Sequence, residues 1–298
     1  MNRQRNTANG AAPVVCIGEV LWDALPDGLF LGGAVFNVSY HLNRLGTPAV
    51  MASRVGTDRL GTEIRARMAA LGQSDRLVQW DTRHETGFVR VFLDREGVPG
   101  YEILGPVAWD FMEASRDLLD VAQVAPAVVF GTLAQRSVDS RKTIRRVLAS
   151  PGIKVLDVNL RPPDADPDVV GHALEAADLA KMAFEELNQF AAWWHGPEDF
   201  SARVAWLAER FGIRRVCVTA GGDGAWLLDP EGLHRAHGIP IRVADTVGAG
   251  DAFLAGLTHA LLTGKEGPEA LDYANRLGAL VASRDGATPD YEPGELVA

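Results

Sequence analysis

Ala127-Val128-Val129-Phe130, then Val138 to Leu148, then Lys154-Val155-Leu156-Asp157-Val158 is the stretch that sets the fold class. The two outer runs are short, rich in β-branched residues and bounded by turn signals, as buried strands are. The segment between them reads as a helix. Strand, helix, strand in this order predicts a parallel pair joined by a crossover helix. The pattern continues outward: Val14-Val15-Cys16-Ile17-Gly18 and Arg215-Val216-Cys217-Val218-Thr219 read as strands, and Arg59 to Leu71, Asp168 to Ala177 and Ser201 to Phe211 as helices. Nearly continuous apolar strands need cover on both faces, so the expectation is an α/β protein with a mostly parallel central sheet.

Two regions break the rhythm. Ala24 to Leu31 carries Pro26 and Gly28, and Thr86 to Leu104 contains the alternating Gly87-Phe88-Val89-Arg90-Val91-Phe92-Leu93-Asp94 before a turn at Glu96-Gly97. Adjacent alternating strands without helices predict a small antiparallel or mixed sheet, formed by about 24–31 and 86–105, as a lid over a site or else an edge decoration.

The bulk properties narrow the class. The chain has 298 residues, enough for one large α/β domain over 13–298 with a minor appendage. Hydrophobic residues at 47% and charged residues at 23% are ordinary for a globular protein. A formal net charge of -10 argues against nucleic acid or an anionic membrane as partner. The two cysteines, Cys16 and Cys217, lie far apart in apolar runs, so no disulfide framework is expected. No apolar stretch is long enough to span a bilayer. Residues 1–12 are polar and small, without the apolar core of a signal peptide, and read as a disordered leader. A cytoplasmic enzyme fits these features.

The strongest chemical signal is Asp245-Thr246-Val247-Gly248-Ala249-Gly250-Asp251-Ala252-Phe253, placed between a strand-like Ile241-Arg242-Val243 and a helical Ala255 to Leu262. Gly248 and Gly250 allow a tight turn with bare backbone, and the N–H groups of 248 to 250 at a helix start make an anion site. Asp251 at the same helix start is suited to accept a proton from a hydroxyl attacking a bound phosphate. The plain alternative is a helix cap preceded by a glycine turn. A second segment, Gly32-Gly33-Ala34-Val35-Phe36-Asn37-Val38 through Gly46, weighs against that alternative. Val35, Val38, Leu42 and Leu45 form a helical stripe that Gly46 ends. Gly32 and Gly33 let a ligand approach the backbone, and Asn37 lies off the stripe near the helix start.

Together these segments resemble, in spacing and chain order, the paired signatures of the ribokinase-like sugar kinases, the phosphofructokinase B family. Matches run from about Val14 to Pro289. Gly18-Glu19-Val20-Leu21-Trp22-Asp23, Gly56-Thr57-Asp58-Arg59-Leu60-Gly61 and Asp157-Val158-Asn159-Leu160-Arg161-Pro162 are similar to the fructokinase branch. The resemblance implies a three-layer α/β/α sandwich that phosphorylates a sugar hydroxyl, fructose first, using ATP and Mg2+. It implies Asp251 as catalytic base and Gly248, Ala249 and Gly250 as anion hole. Asp23, Gly32, Gly33 and Asn37 become sugar contacts. Arg161 is a substrate or phosphate contact, or else a surface ion pair; Asp58 belongs to a substrate loop, or else caps the helix at Arg59. Thr219, Gly221 and Gly224 match the nucleotide-binding turn, and Asn275 falls where a helix flanks the adenine, unless it is simply solvated.

The chain departs from the family at one point. In Lys181-Met182-Ala183-Phe184-Glu185-Glu186, Glu186 matches the glutamate of a family motif that follows a strand and lysine and is associated with magnesium and phosphate, but Ala183 replaces its asparagine and offers no hydrogen-bonding side chain. ATP phosphates bring their own ligands to magnesium. The family also uses a monovalent cation such as K+, for which Asp245 and backbone near Gly286 are candidates. Other substrates open to the same fold are 2-keto-3-deoxygluconate, ribose and nucleosides. An inactive sugar-binding regulator is the alternative of another class, favoured only by Ala183. A homodimer through the lid would cover apolar residues such as Phe88 and Phe92. His234 and His237 lack further partners for zinc, Trp193-Trp194 reads as packing, and Gly221 to Gly224 lack the lysine of a phosphate-binding P-loop.

Overall fold

A computed structural model of the chain describes residues 11–25, 28–93, 99–162 and 165–297. Most of the expected leader, Pro26 and the Glu96-Gly97 turn lie outside the described residues. The chain runs through β1 (Val14–Ile17), β2 (Leu21–Leu25), β3 (Gly28–Gly32), α1 (Ala34–Arg44), β4 (Ala49–Gly56), α2 (Arg59–Ala70), β5 (Leu77–Asp81), β6 (Phe88–Leu93) and β7 (Pro99–Ile103). It continues through α3 (Arg116–Val124), β8 (Ala127–Gly131), α4 (Val138–Leu148), β9 (Ile153–Asp157), α5 (Pro167–Glu175), β10 (Leu179–Ala183), α6 (Phe184–Trp194) and α7 (Phe200–Phe211). The last elements are β11 (Arg215–Thr219), β12 (Gly224–Asp229), β13 (Gly232–His237), α8 (Ala249–Leu262) and α9 (Gly267–Ala282).

The main sheet has the order β13-β12-β11-β10-β9-β8-β1-β4-β5. Its pairs from β5 to β11 are parallel, and the hairpin β11-β12-β13 closes one edge in antiparallel register. Because successive strand residues face opposite sides, the strands feed two separate cores. Val15, Ile17, Val128, Phe130, Leu156, Met182 and Val218 pack with apolar residues of α3 to α7. Cys16, Met51, Val129, Val155, Leu179 and Cys217 pack with α1, α2, α8 and α9. Each fully buried aliphatic side chain contributes about 1.5–3 kcal/mol, and these two rows are what hold the three layers together. Both cysteines are buried and free. No helix among the described residues is long and apolar enough to cross a membrane.

The lid is a second sheet of order β3-β2-β6-β7. It is mixed, with β2 and β6 parallel and the outer pairs antiparallel. It begins at Leu21, three residues before the expected 24. Phe88 does not offer the open apolar face expected for a dimer. It pairs in register with Trp22, half-buried against the core beneath it. Trp22 in turn donates to the Leu60 carbonyl at 3.1 Å and lies under Arg67. The side chain of Phe92 lies outside the described residues. Exposed apolar groups on the lid are Leu29 and Phe30, at 40% and 45%.

The strand expected at Ile241-Arg242-Val243 is instead irregular, exposed chain. Pro240 removes a backbone donor just after β13, and the chain leaves the sheet to cross to α9, where Ala244 donates to the Ala282 carbonyl at 3.0 Å.

Of the two readings of Asp58, the cap is observed. Asp58 Oδ1 accepts from the Gly61 amide and the Thr86 hydroxyl at 2.8 Å each, and Oδ2 accepts from the Thr86 amide at 2.7 Å. One carboxylate thus starts α2 and ties down the segment entering the lid. Asp58→Ala should lower the melting midpoint by roughly 2–8 °C, from about 1–2 kcal/mol for a lost cap. Asp58→Asn, which keeps an acceptor for Gly61, should lose less. An unchanged midpoint for Asp58→Ala in scanning calorimetry would contradict this role.

Candidate active site

The site forms where two helix N-termini meet over the carboxyl ends of the parallel strands, the place where open α/β sheets collect ligands. One is the start of α8. Gly248 caps it in the left-handed region at φ 77°, which only glycine adopts freely. A Cβ there would fall 2.6 Å from Ala287 Cα. The Ala249 amide donates to the Thr246 carbonyl at 3.3 Å. Among the described residues the amides of Gly248, Gly250 and Asp251 find no acceptor. They leave orphan donors at the positive end of a helix dipole.

The other is the start of α1. Gly33, at φ 118°, lies so close to Glu19 that a Cβ would meet its carbonyl oxygen at 2.5 Å. Glu19 Oε1 accepts from the Ala34 amide at 3.2 Å. One turn later, Asn37 Nδ2 donates to Asp251 Oδ2 at 2.8 Å. Asn37 therefore touches the expected base directly. Its Oδ1 is buried and has no partner among the described residues.

Electrostatics single out the same group. Burial pushes the Asp251 carboxyl up to about 7, with the Asp157 charge adding to the rise and Lys181, Asn37 and Arg161 opposing it. Burial likewise lifts Glu19 to about 7 and Asp23 to about 6, each partly offset by Arg161. Asp23 stands on β2 against Gly32, where a Cβ would fall 2.2 Å from its Oδ2. Arg161 is exposed on the loop after β9, and among the described residues its one hydrogen bond is to the Leu160 carbonyl at 3.2 Å. Its charge thus reaches Glu19, Asp23 and Asp251 without a hydrogen bond to any of them.

Two acids expected near metal ions are engaged with backbone. Glu186 Oε1 accepts from the Leu160 amide and Oε2 from the Ala183 amide, at 2.5 and 2.7 Å. It clamps the ends of β9 and β10 together. Asp245 accepts from the amides of Val247 and Gly286 at 3.0 and 3.1 Å, joining the turn before α8 to the chain after α9. Among the described residues no group of three or more His, Cys, Asp or Glu is arranged to hold a metal ion.

The expected nucleotide residues line the other flank, along β11 and β12. Thr219 Oγ1 donates to the Met182 carbonyl at 3.3 Å. Gly221 and Gly224 take positive φ at the corner between β11 and β12. Asn275 is buried and gives its amide to the His237 carbonyl at 2.8 Å, tying α9 to β13. The structure thus brings Asp251, Asn37, Asp23, Gly32, Gly33 and Arg161 together around the two helix starts. Thr219, Gly221, Gly224 and Asn275 form a separate wall.

Sequence reasoning missed three groups. Lys181 Nζ pairs with Asp157 Oδ1 at 3.0 Å beneath Gly250. Lys181 is the single charge in an apolar strand, which was the available signal, whereas Asp157 ends a strand that also carries Lys154. His41 is the third. Buried in α1 and held neutral, with its titration pushed down to about 4 by burial, it hydrogen-bonds the Ala287 carbonyl at 2.9 Å and the Tyr291 hydroxyl at 3.0 Å. It fastens the segment that packs on Gly248, and nothing in its sequence neighbourhood marked it.

The sequence matches the family described as pfkB family carbohydrate kinase over residues 27–293. The chain belongs to this family. The kinase is 28% identical to a fructokinase of Escherichia coli across 93% of its own length and 95% of that relative. It is 29% identical to an ATP-dependent ribose-1-phosphate kinase of Halopiger xanaduensis, across 86% of this chain and 81% of the relative. Its fold is similar to the crystal structure of an uncharacterised sugar kinase of Pyrococcus horikoshii in complex with ATP. That likeness has a TM-score of 0.80 at 25% identity, covering 95% of this kinase and 97% of that chain.

The raised Asp251 carboxyl has a consequence for stability. In the unfolded chain it releases its proton near 4, in the folded chain at about 7. Above pH 7 the fold carries an ionised group in a place that disfavours it; below pH 4 both states hold the proton and the penalty is gone. Asp251→Asn should therefore raise the melting midpoint at pH 8, and the gain should vanish by pH 4. A midpoint lowered or unchanged at pH 8 would show that the carboxylate is not burdened by its site.

Proposed function

We propose that this kinase transfers the terminal phosphoryl group of ATP to a hydroxyl of a small sugar, with fructose as the first candidate. The observation that carries the reading is the Asn37–Asp251 pair set beside the unbonded amides at the start of α8. The sugar lies between Asp23, the Gly32-Gly33 backbone and Asn37 Oδ1, with the lid above it. Asp251 accepts the proton of the attacking hydroxyl. As the new oxygen–phosphorus bond forms, the bond from the γ-phosphorus to the bridging oxygen of ATP breaks, and ADP leaves with the electron pair. The amides of Gly248, Gly250 and Asp251 offset charge on the transferred group. The nucleotide runs along Thr219, Gly221 and Gly224, with α9 and Asn275 on the adenine side. ATP is taken as its magnesium complex, the metal held by phosphate oxygens and water, and Glu186 supports the site by holding the Leu160 and Ala183 amides. Closure of the lid keeps water from taking the phosphoryl group. A monovalent cation would sit at the Asp245 corner, and a homodimer would form through Leu29 and Phe30 of the lid.

One observation favours a second substrate class. Arg161 is exposed and among the described residues spends its guanidinium only on the Leu160 carbonyl, so an anionic substituent such as the carboxylate of 2-keto-3-deoxygluconate or a sugar phosphate would find it.

ADP release with magnesium and ATP across fructose, ribose, 2-keto-3-deoxygluconate, ribose 1-phosphate and adenosine tests both. Fructose should give the highest kcat/KM. Preference for an acidic sugar, abolished by Arg161→Ala, would favour the second class. Asp251→Asn should cut turnover by about 10²–10⁴ while leaving sugar binding measurable by calorimetry. Since only the ionised carboxyl is a base, wild-type kcat/KM should fall as pH drops through about 7. A rate flat from pH 6 to 8 would remove Asp251 from the proton transfer.

A further inference from the structure

Glu19 lies on the turn from β1 to β2 and is 3% exposed. Its Oε1 accepts from the Ala34 amide at 3.2 Å, at the first position of α1. Gly33 before it has no side chain to cap the helix, so this start is capped by a residue 15 positions upstream. Backbone packing closes the same joint, since a Cβ on Gly33 would fall 2.5 Å from the Glu19 carbonyl oxygen. One turn into α1, Asn37 donates to Asp251. Glu19 thus holds the root of the helix that orients the proposed base.

Capping alone does not ask for an acid. An amide or hydroxyl oxygen accepts from a helix amide as well, without the penalty of a buried ionisable group. Nor is the surrounding built for a carboxylate. Oε2 is buried and meets no donor among the described residues. The charged groups that act on Glu19 are Arg161, on the loop after β9, and Asp157, at the end of β9, and the second repels an anion. Lys181 is paired with Asp157. Burial raises the Glu19 carboxyl to about 7, against the pull of its own amide, Arg161 and the Ala34 amide. An ionised Glu19 would carry a charge with nothing to bond at Oε2. The site could relieve it only by admitting water or by shifting the start of α1.

We propose that Glu19 is a positioning residue that works with its proton on: as a neutral acid it fixes the start of α1, and through α1 it holds Asn37 against Asp251. The inference rests on the kinase reading above and adds an alkaline limit to that activity. Glu19 exchanges no proton with the substrate. The hydroxyl proton passes to Asp251, and Glu19 keeps its own.

The test compares wild type, Glu19→Gln and Glu19→Leu, reading kcat and sugar KM from about pH 5.5 to about 9.5 with whichever sugar supports turnover. Wild-type kcat/KM should peak close to pH 7, falling on the acid side as Asp251 gains its proton and on the alkaline side as Glu19 loses its own. Glu19→Gln keeps an acceptor for Ala34 and cannot ionise. It should hold kcat at pH 7 within about threefold of wild type and keep the acid fall while losing the alkaline one. Glu19→Leu leaves the Ala34 amide unpaired, and its kcat should drop by about 10–10² with a smaller change in sugar KM. A wild type with no alkaline fall overturns the inference, and so does a Glu19→Gln that keeps that fall. A folded Glu19→Gln that is inactive at every pH also overturns it, since the carboxylate itself would then be required. If Glu19→Leu does not fold, the Glu19→Gln profile decides alone. Wild type that releases no ADP with any sugar would instead overturn the kinase reading, and this inference with it.

Discussion

The 2.8 Å hydrogen bond from Asn37 to Asp251 joins the starts of α1 and α8, and the rest of the site is arranged around it. The two residues are 214 positions apart in the chain, so the contact forms only after the sheet and both helical layers are assembled. It orients one carboxylate oxygen, and in the proposed reaction the other meets the substrate hydroxyl. It also brings Asp23 and Gly33, the proposed sugar contacts, up to the unbonded amides of Gly248, Gly250 and Asp251, the proposed anion site. A kinase needs that juxtaposition more than it needs a strong base, because phosphoryl transfer is governed by positioning and charge.

Charge in the site is unbalanced without ligands. Asp23, Glu19 and Asp251 all hold their protons more tightly than free acids, chiefly through burial. Three buried acceptor atoms of the site, Glu19 Oε2, Asn37 Oδ1 and Asp157 Oδ2, have no partner among the described residues. Such groups are costly to leave unpaired. Backbone clamps hold this arrangement. Glu186 fixes the strand ends, Asp245 joins the loops before α8 and after α9, and His41 fastens the segment on Gly248. Several acids that look like ligands in the sequence thus serve backbone amides in the structure.

The fold was legible where burial is continuous. Ala127 to Phe130 and Lys154 to Val158 are apolar because both sheet faces are covered, and their strands lie within a residue or so of expectation. Legibility failed where tertiary context decides. Ile241 to Val243 has strand composition, but Pro240 and the crossing to α9 prevent pairing. Phe88 alternates as an exposed lid residue would, yet it stands beside Trp22 and packs against the core that includes Ile64 and Met68 of α2. In the site, the glycine turns and Asp251 announce themselves by local backbone needs. The Asn37–Asp251 contact, the Lys181–Asp157 register and the role of His41 depend on distances between segments remote in sequence, which no local pattern encodes.

The account stands most directly on where the transferred phosphoryl group sits. A crystal structure with ADP, aluminium fluoride and the preferred sugar measures this. The fluoride mimic should lie on the amides of Gly248, Gly250 and Asp251, with one sugar hydroxyl within hydrogen-bond reach of both the mimic and Asp251. A mimic bound elsewhere, or a sugar whose hydroxyls all lie out of reach of Asp251, would contradict it.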